Sequence, residues 1–336
     1  MTQNNRYKVA VIGGGTGLPV ILKGLKHLSA DISAIITVAD DGGSSGALRN
    51  FLNVVPPGDI RNCITALSEW DNELIDLFQY RFHREDDCLA GHAIGNLIIA
   101  AMKEMKGSLN EAIDSLSKWM QVKGEILPAA EDALVLNATF EDGTIAVGES
   151  KIAGHRKKIR HVNVTTKQGE AAVKASPRVV NAILDADMIV LGPGSLYTSI
   201  LPNLMIKEIG EAICNTQAQV IYVCNIMTQL GETENFTDAN HVEVLHQHLG
   251  MPFIDTVLVN IRPVPEDYIL HQPDSEYLLQ VSHDFKGLQE QGCHIISSEF
   301  LNMKNGGAYH DTDEVVHELD HLLDRIKLIG KNKNRM

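Results

Sequence analysis

The sequence has no run approaching the roughly 18 consecutive apolar residues of a membrane span. Its first residues, Met-Thr-Gln-Asn-Asn-Arg, contain no apolar signal core. No membrane span is therefore expected. Positive charge is in deficit: 29 Lys and Arg stand against 43 Asp and Glu, for a net charge of −14. That balance argues against nonspecific nucleic-acid binding. The two basic runs, Arg156-Lys157-Lys158-Ile159-Arg160 and the tail Lys331-Asn332-Lys333-Asn334-Arg335, read as solvated surface and a frayed end. The five cysteines (Cys63, Cys88, Cys214, Cys224, Cys293) are odd in number and include no Cys-x-x-Cys pair. A disulfide framework is excluded, and buried, reduced thiols of a cytoplasmic protein are expected. Aromatic residues are scarce, at 5%, but 44% of the 336 residues are hydrophobic, ample for a large core.

The apolar run Tyr7-Lys8-Val9-Ala10-Val11-Ile12 opens onto Gly13-Gly14-Gly15-Thr16-Gly17 and then a helical pattern, Leu18, Ile21, Leu22, Leu25 and Leu28. Strand, glycine turn and helix in that order form a phosphate cradle. Glycines let backbone N–H groups approach closely, and a helix N-terminus adds unpaired donors and partial positive charge. The dinucleotide fingerprint Gly-x-Gly-x-x-Gly is incomplete, because Leu18 stands at its third glycine. A P-loop is excluded, because no Lys-Ser/Thr follows at the required spacing. An anionic small ligand, foremost a nucleotide, is expected.

Six short apolar runs read as buried parallel strands: Val9–Ile12, Ala34–Val38, Met188–Leu191, Val220–Val223, Thr256–Val259 and His294–Ile296. Helical patterns between them predict right-handed crossovers in a doubly wound sheet. Residues 60–125 read as a helical insertion, with helices over Ile94–Lys106 and Leu109–Met120. Residues 122–170 read as a small antiparallel region, built on a hairpin around Glu141-Asp142-Gly143-Thr144. The expected fold is α/β: one domain over residues 1–330 and a basic tail over 331–336.

Ligands of such sheets bind beyond the carboxyl ends of the strands. Polar residues follow four of the expected strands: Gly13–Gly17; Asp40-Asp41-Gly42-Gly43-Ser44-Ser45-Gly46; Gly192-Pro193-Gly194-Ser195-Leu196; and Asn225-Ile226-Met227-Thr228. Asp40 and Asp41 could hold a ribose hydroxyl, a metal or a reacting hydroxyl, or cap their own loop. Ser195 could cap a helix, donate to a phosphate, or both. It does not read as an acyl nucleophile, because Gly-x-Ser-x-Gly is absent around it. Arg61, Asn62, His92 and Asn96 suit phosphate or sugar recognition, and Asp59 reads as the N-cap of the helix it precedes. His317-Glu318-Leu319-Asp320-His321 matches a zinc-peptidase pattern. On a helix, though, both histidines fall opposite the apolar stripe Val315, Leu319, Leu322 and Ile326, so a solvated face is expected.

Five ordered motifs together resemble the bacterial gluconeogenesis factor family. They are Gly13–Gly17, Asp40–Gly46, Pro57–Asn62, His92–Leu97 and Gly192–Asn203, and the resemblance runs over residues 7–325. The family is related to 2-phospho-L-lactate transferase, which uses Mg²⁺. The resemblance implies a Rossmann-like three-layer sandwich and a cytoplasmic regulator that binds a UDP-sugar, notably UDP-N-acetylglucosamine. Such a regulator supports cell-wall precursor supply, cell shape and growth on gluconeogenic carbon. A nicotinamide dinucleotide, NAD(P), is a further implied ligand. An enzyme of amino-sugar synthesis, a Ser/Thr kinase acting on Thr312, and a second copy of the chain are implied partners. No cofactor is required on this reading. The alternative is a transferase with Mg²⁺ on Asp40 and Asp41, and a nicotinamide-dependent oxidoreductase is a weaker third.

Overall fold

Aliphatic and β-branched runs too short for helices build the centre of the molecule. The structure is a computed structural model that describes residues 6–44, 46, 55–83, 89–166, 169, 173–270, 278–304 and 306–333; the side chains of 153, 270, 327 and 329–333 are outside the description. Ser45, Cys88 and residues 334–336 of the basic tail fall outside it.

Seven strands pair in parallel: β1 (Tyr7–Gly13), β2 (Ala30–Ile36), β3 (Glu125–Pro128), and then, after an antiparallel module, β7 (Met188–Leu191), β8 (Gln219–Val223), β9 (Thr256–Asn260) and β10 (His294–Ser298). Their spatial order is β10-β9-β8-β7-β1-β2-β3. Counted within this sheet alone, that is 3-2-1-4-5-6 plus one more strand, the order of dinucleotide-binding folds. The chain moves outward from β1 on one side, then returns to the other side of β1 at β7. The crevice above β1 and β7 is therefore the topological switch point.

All six expected strands are present, and β3 is an addition. It is four residues long, ends in a proline, and sits where the antiparallel region was expected to begin. Pairing with the edge of β2 recruits it to the main sheet. The module itself is β4 (Val135–Phe140), β5 (Ile145–Val147) and β6 (Ile159–Thr165), ordered β5-β4-β6. Gly143 turns its hairpin in the left-handed region, at φ +80. A second hairpin joins β11 (Leu301–Lys304) to β12 (Gly307–His310).

The insertion is helical as expected, with helices at Gly58–Leu67, Asn72–Gln79, Ile94–Lys106 and Leu109–Trp119. The helix Gly17–Leu25 buries Leu18, Ile21, Leu22 and Leu25 against the sheet. Its outer side meets the long helix Thr312–Lys333 at Gly24, where a Cβ would come within 2.7 Å of both Thr312 Cγ2 and Val316 Cγ2. Val9, Ile12, Ile35, Val190 and Tyr222 join these helices in one continuous core. Cys63, Cys224 and Cys293 are buried free thiols, and Cys214 is half-buried. Among the described residues no helix is long and apolar enough to cross a membrane. On the last helix Val315, Leu319, Leu322 and Leu323 are buried, and His317 and His321 lie exposed with ring centroids 4.0 Å apart.

Candidate functional site

Two glycine turns meet at the switch point. Gly13–Gly17 leaves β1, and Gly192–Ser195 leaves β7. Their backbones touch: a Cβ on Gly17 would collide with the carbonyl oxygen of Pro193 and lie 2.9 Å from its carbon. Asn203, fully buried, donates from Nδ2 to Gly13 O at 3.2 Å and Ser199 O at 2.8 Å, and so ties the turns together. Between them lies a cleft of about 240 Å³ lined by Thr16, Gly17, Pro193, Gly194, Ser195, Asn225, Thr228 and Gln229, among others. It shares Val20, Tyr309 and His310 with a neighbouring cleft of about 570 Å³, which is lined also by Lys23, His27, Lys304 and Thr312.

Ser195 differs from the capping expectation. Its hydroxyl makes no cap to the π-helical segment Leu196–Ile200; instead it accepts from Gln229 Nε2 at 2.7 Å. Leu196 is fully buried, backbone included, and presents no surface to a ligand. Thr228 is also buried, and its hydroxyl bonds Leu279 N and O across the loop. Asn225 Oδ1 and Gln229 Oε1 are buried acceptors with no partner among the described residues.

Asp59 is likewise not an N-cap. Pro57 takes that position, and the Asp59 carboxylate, one residue inside the helix, accepts the Gly15 N–H at 2.7 Å. Gly15 is left-handed, at φ +65, which suits a residue without Cβ. Burial pushes Asp59 up to about 6, with nearby Asp40 adding to the effect; the Gly15 N–H and the Arg61 charge act the other way.

A second polar set runs beside the loop after β2. Arg61 Nη1 donates to Asn96 Oδ1 at 2.9 Å, and Nη2 to Asn62 Oδ1 at 2.8 Å. Asn96 Nδ2 donates to Ser44 Oγ at 3.0 Å, and Ser44 lies 2.9 Å from His92 Nδ1. Five sequence candidates therefore form one hydrogen-bonded network. Arg61 is buried to 3% exposure, and that desolvation, with Arg81 nearby, moves it down to about 10.

Asp40 Oδ1 accepts Gly42 N at 2.9 Å, and Asp41 Oδ1 accepts Ser150 N at 2.8 Å. Asp41 thus fastens the antiparallel module to the sheet edge. Among the described residues no group of three or more His, Cys, Asp or Glu side chains is placed to hold a metal ion.

Two carboxyls were not among the sequence candidates. Glu149 follows β5, and burial raises it to about 8 with Asp40, Asp59, Asp41 and Glu232 all adding. Glu232, 7% exposed, is raised to about 7 by burial and receives a backbone hydrogen bond from Tyr197. Glu232 lies four residues beyond Thr228, and extending the polar segment that starts at Asn225 to the next helix would have found it. Glu149 carries no signal without the fold.

The chain matches the sequence profile described as "2-phospho-L-lactate transferase CofD" over residues 9–301. A protein of Streptococcus pneumoniae named "Putative gluconeogenesis factor" is 55% identical over 317 residues, covering 94% of this chain and 98% of its own. The Bacillus subtilis protein named "Gluconeogenesis factor" is 46% identical over 316 residues, with the same coverage of 94% and 98%. A crystal structure of a Bacillus halodurans protein superposes with a TM-score of 0.89 at 41% identity, covering 94% of this chain and 99% of that one. The chain belongs to the CofD family and groups with the proteins named gluconeogenesis factors.

Proposed function

We propose that the chain is a non-catalytic nucleotide-sugar sensor whose ligand is UDP-N-acetylglucosamine. Acting in the cytoplasm, it would adjust cell-wall precursor supply, cell shape and growth on gluconeogenic carbon. The observation that carries this reading is the cleft at the switch point, floored by two glycine turns and continuous with a larger cleft. Glycine turns leading into helical segments suit the pyrophosphate. The larger cleft gives the remainder of the ligand room, and unpartnered acceptors on Asn225 and Gln229 suit sugar or ribose hydroxyls. Thr312 lines the larger cleft, so phosphorylation there by a Ser/Thr kinase would act on the same site.

The transferase alternative is favoured by the family profile alone. In this structure one oxygen each of Asp40 and Asp41 accepts a backbone N–H, a loop-holding role. Calorimetric titration with UDP-N-acetylglucosamine, with and without Mg²⁺, decides between them when paired with a long incubation assayed for ligand breakdown or transfer. Metal-indifferent binding and no product are expected. Strictly Mg²⁺-dependent binding with enzyme-proportional product, abolished in Asp41→Asn, would establish the transferase instead.

A further inference from the structure

The two clefts at the switch point share one wall, the hairpin of β11 and β12. Leu301 and Ala308 join Ile226 and Met227 in a small apolar cluster, which anchors the hairpin on the loop after β8. His310 closes β12, paired opposite Leu301. Directly after it, Asp311 donates its N–H to Phe300 O, and its Oδ1 accepts Asp313 N at 3.1 Å at the start of the long helix. His310 is thus held between an anchored hairpin and a capped helix, and it lines both clefts.

Its ring nitrogens are not equivalent. Nε2 lies 3.0 Å from the Cys224 carbonyl, just beyond β8. A carbonyl oxygen only accepts, so Nε2 carries the proton. Burial pushes the imidazole down to about 4, against the pull of that carbonyl, so the ring is neutral near neutral pH. Nδ1 is then a bare acceptor. Among the described residues it has no hydrogen-bond partner, and it is not sealed in the core as Nε2 of His241 is. The Cys224 N–H is itself bound to Leu258 O at 3.1 Å, so the residue that sets the tautomer is held by the sheet.

A bare ring nitrogen repels phosphate oxygens, which offer only lone pairs, and pairs with a hydroxyl or an N–H. A diphosphate therefore belongs on the glycine turns. The group that meets His310, at the junction of the clefts, is the ring carried by the diphosphate. Given the nucleotide-sugar reading of the cleft, on which this rests, we propose that His310 is a specificity-determining residue. Its Nδ1 accepts a hydroxyl of the ring esterified to the diphosphate, and the site selects nucleoside diphosphate esters that keep that hydroxyl. Ribose and pyranose both offer one, and deoxy ligands separate the two.

The test is calorimetric titration of the full chain with UDP-N-acetylglucosamine, its 2′-deoxy- and 3′-deoxyuridine forms, and its 3-, 4- and 6-deoxy pyranose forms. Wild type and His310→Phe are compared, and NAD is titrated in parallel. One uridine or one pyranose analogue should bind wild type about tenfold more weakly, the loss of a hydrogen bond whose protein partner is left unmet. His310→Phe should bind the parent about tenfold more weakly as well, and should bind that analogue and the parent alike to within about twofold. Phenylalanine keeps a planar ring but leaves the Cys224 carbonyl unpaired, so thermal unfolding checks the fold. If the variant does not fold, nitrogen NMR of wild type labelled in its histidine rings decides. The Nδ1 resonance of His310 should be that of a bare nitrogen, should shift on addition of UDP-N-acetylglucosamine, and should stay in place with the analogue that lacks the hydroxyl.

UDP-N-acetylglucosamine binding with every deoxy form within about twofold of the parent overturns this inference and leaves the nucleotide-sugar reading standing. So does a hydroxyl loss of equal size in His310→Phe, which would give that hydroxyl another partner, and so does an Nδ1 that carries the proton. NAD binding weakened by His310→Phe, with no affinity for UDP-N-acetylglucosamine, overturns the nucleotide-sugar reading alone. Binding of neither probe overturns both.

Discussion

Gly17→Ala tests where the phosphates sit. Gly17 opens the helix Gly17–Leu25, and a Cβ there would strike the carbonyl of Pro193. The obstacle is backbone on the opposite turn, so no side-chain rotation relieves it. Either the helix start or the Gly192–Ser195 turn must move, at an overpacking cost of about 1–3 kcal/mol. The movement falls on the floor of the cleft, where Thr16, Gly17, Pro193, Gly194 and Ser195 meet. Hydrogen bonds to a charged partner are worth about 1.5–3 kcal/mol, so misplacing one should weaken UDP-N-acetylglucosamine roughly 10- to 100-fold. Gly15→Ala is the control. Its φ of +65 makes alanine unfavourable by about 1–2 kcal/mol. The added carbon, however, meets only the Ser199 hydroxyl at 3.2 Å, and the Gly15 N–H keeps its bond to Asp59. Affinity should then change less than about threefold, under roughly 0.7 kcal/mol. Calorimetry reads the affinities, and thermal unfolding confirms that both variants fold. Unchanged affinity in Gly17→Ala, or a larger loss in Gly15→Ala, would refute the placement of the diphosphate between the two turns.

Asn203→Ala should destabilise the fold by about 2–3 kcal/mol in urea unfolding, because it removes both buried bonds to Gly13 O and Ser199 O and leaves a cavity. The ligand-free chain should lose stability as pH rises. Glu232 is raised from 4.5 to about 7, so the native state holds the extra proton between those values. Its contribution falls by up to about 3 kcal/mol across that window, and Glu232→Gln should flatten the profile of unfolding free energy against pH. Replacing both His317 and His321 by Ala should leave metal content unchanged, with no stoichiometric zinc by elemental analysis of wild type; a zinc per chain lost in the double variant would reverse that view of the helix.

The main sheet was legible because its strands are runs such as Val9–Ile12 and Met188–Leu191, apolar on both faces as buried parallel strands must be. The helical insertion was legible from the spacing in Ile94–Lys106, whose end is marked by Gly107 in the left-handed region. Glu125–Pro128 was not, since its assignment depends on an exposed edge of β2 more than 90 residues earlier in the chain. Within the site, the residue types were readable and their partners were not. Ser44, Arg61, Asn62, His92 and Asn96 were each singled out, yet that they bond one another follows only from the packing of the helix Ile94–Lys106 and the segment before it against Gly58–Leu67 and the loop after β2. The same limit explains Asp59 and Ser195. Local grammar offers each a cap role, while tertiary contact gives Asp59 the Gly15 N–H and Ser195 the Gln229 amide.

The donors of a ligand-binding turn need partners in the empty protein as well. A glycine turn buried in a core cannot leave its N–H groups unpaired, because an orphaned buried donor costs about 1–3 kcal/mol. Water can meet that demand in an open cleft. Here Asp59 meets it at Gly15, and Glu232 at Tyr197. Such an internal partner stabilises the empty turn and opposes an incoming anion of the same sign. The two effects pull ligand affinity and ligand-free order in opposite directions.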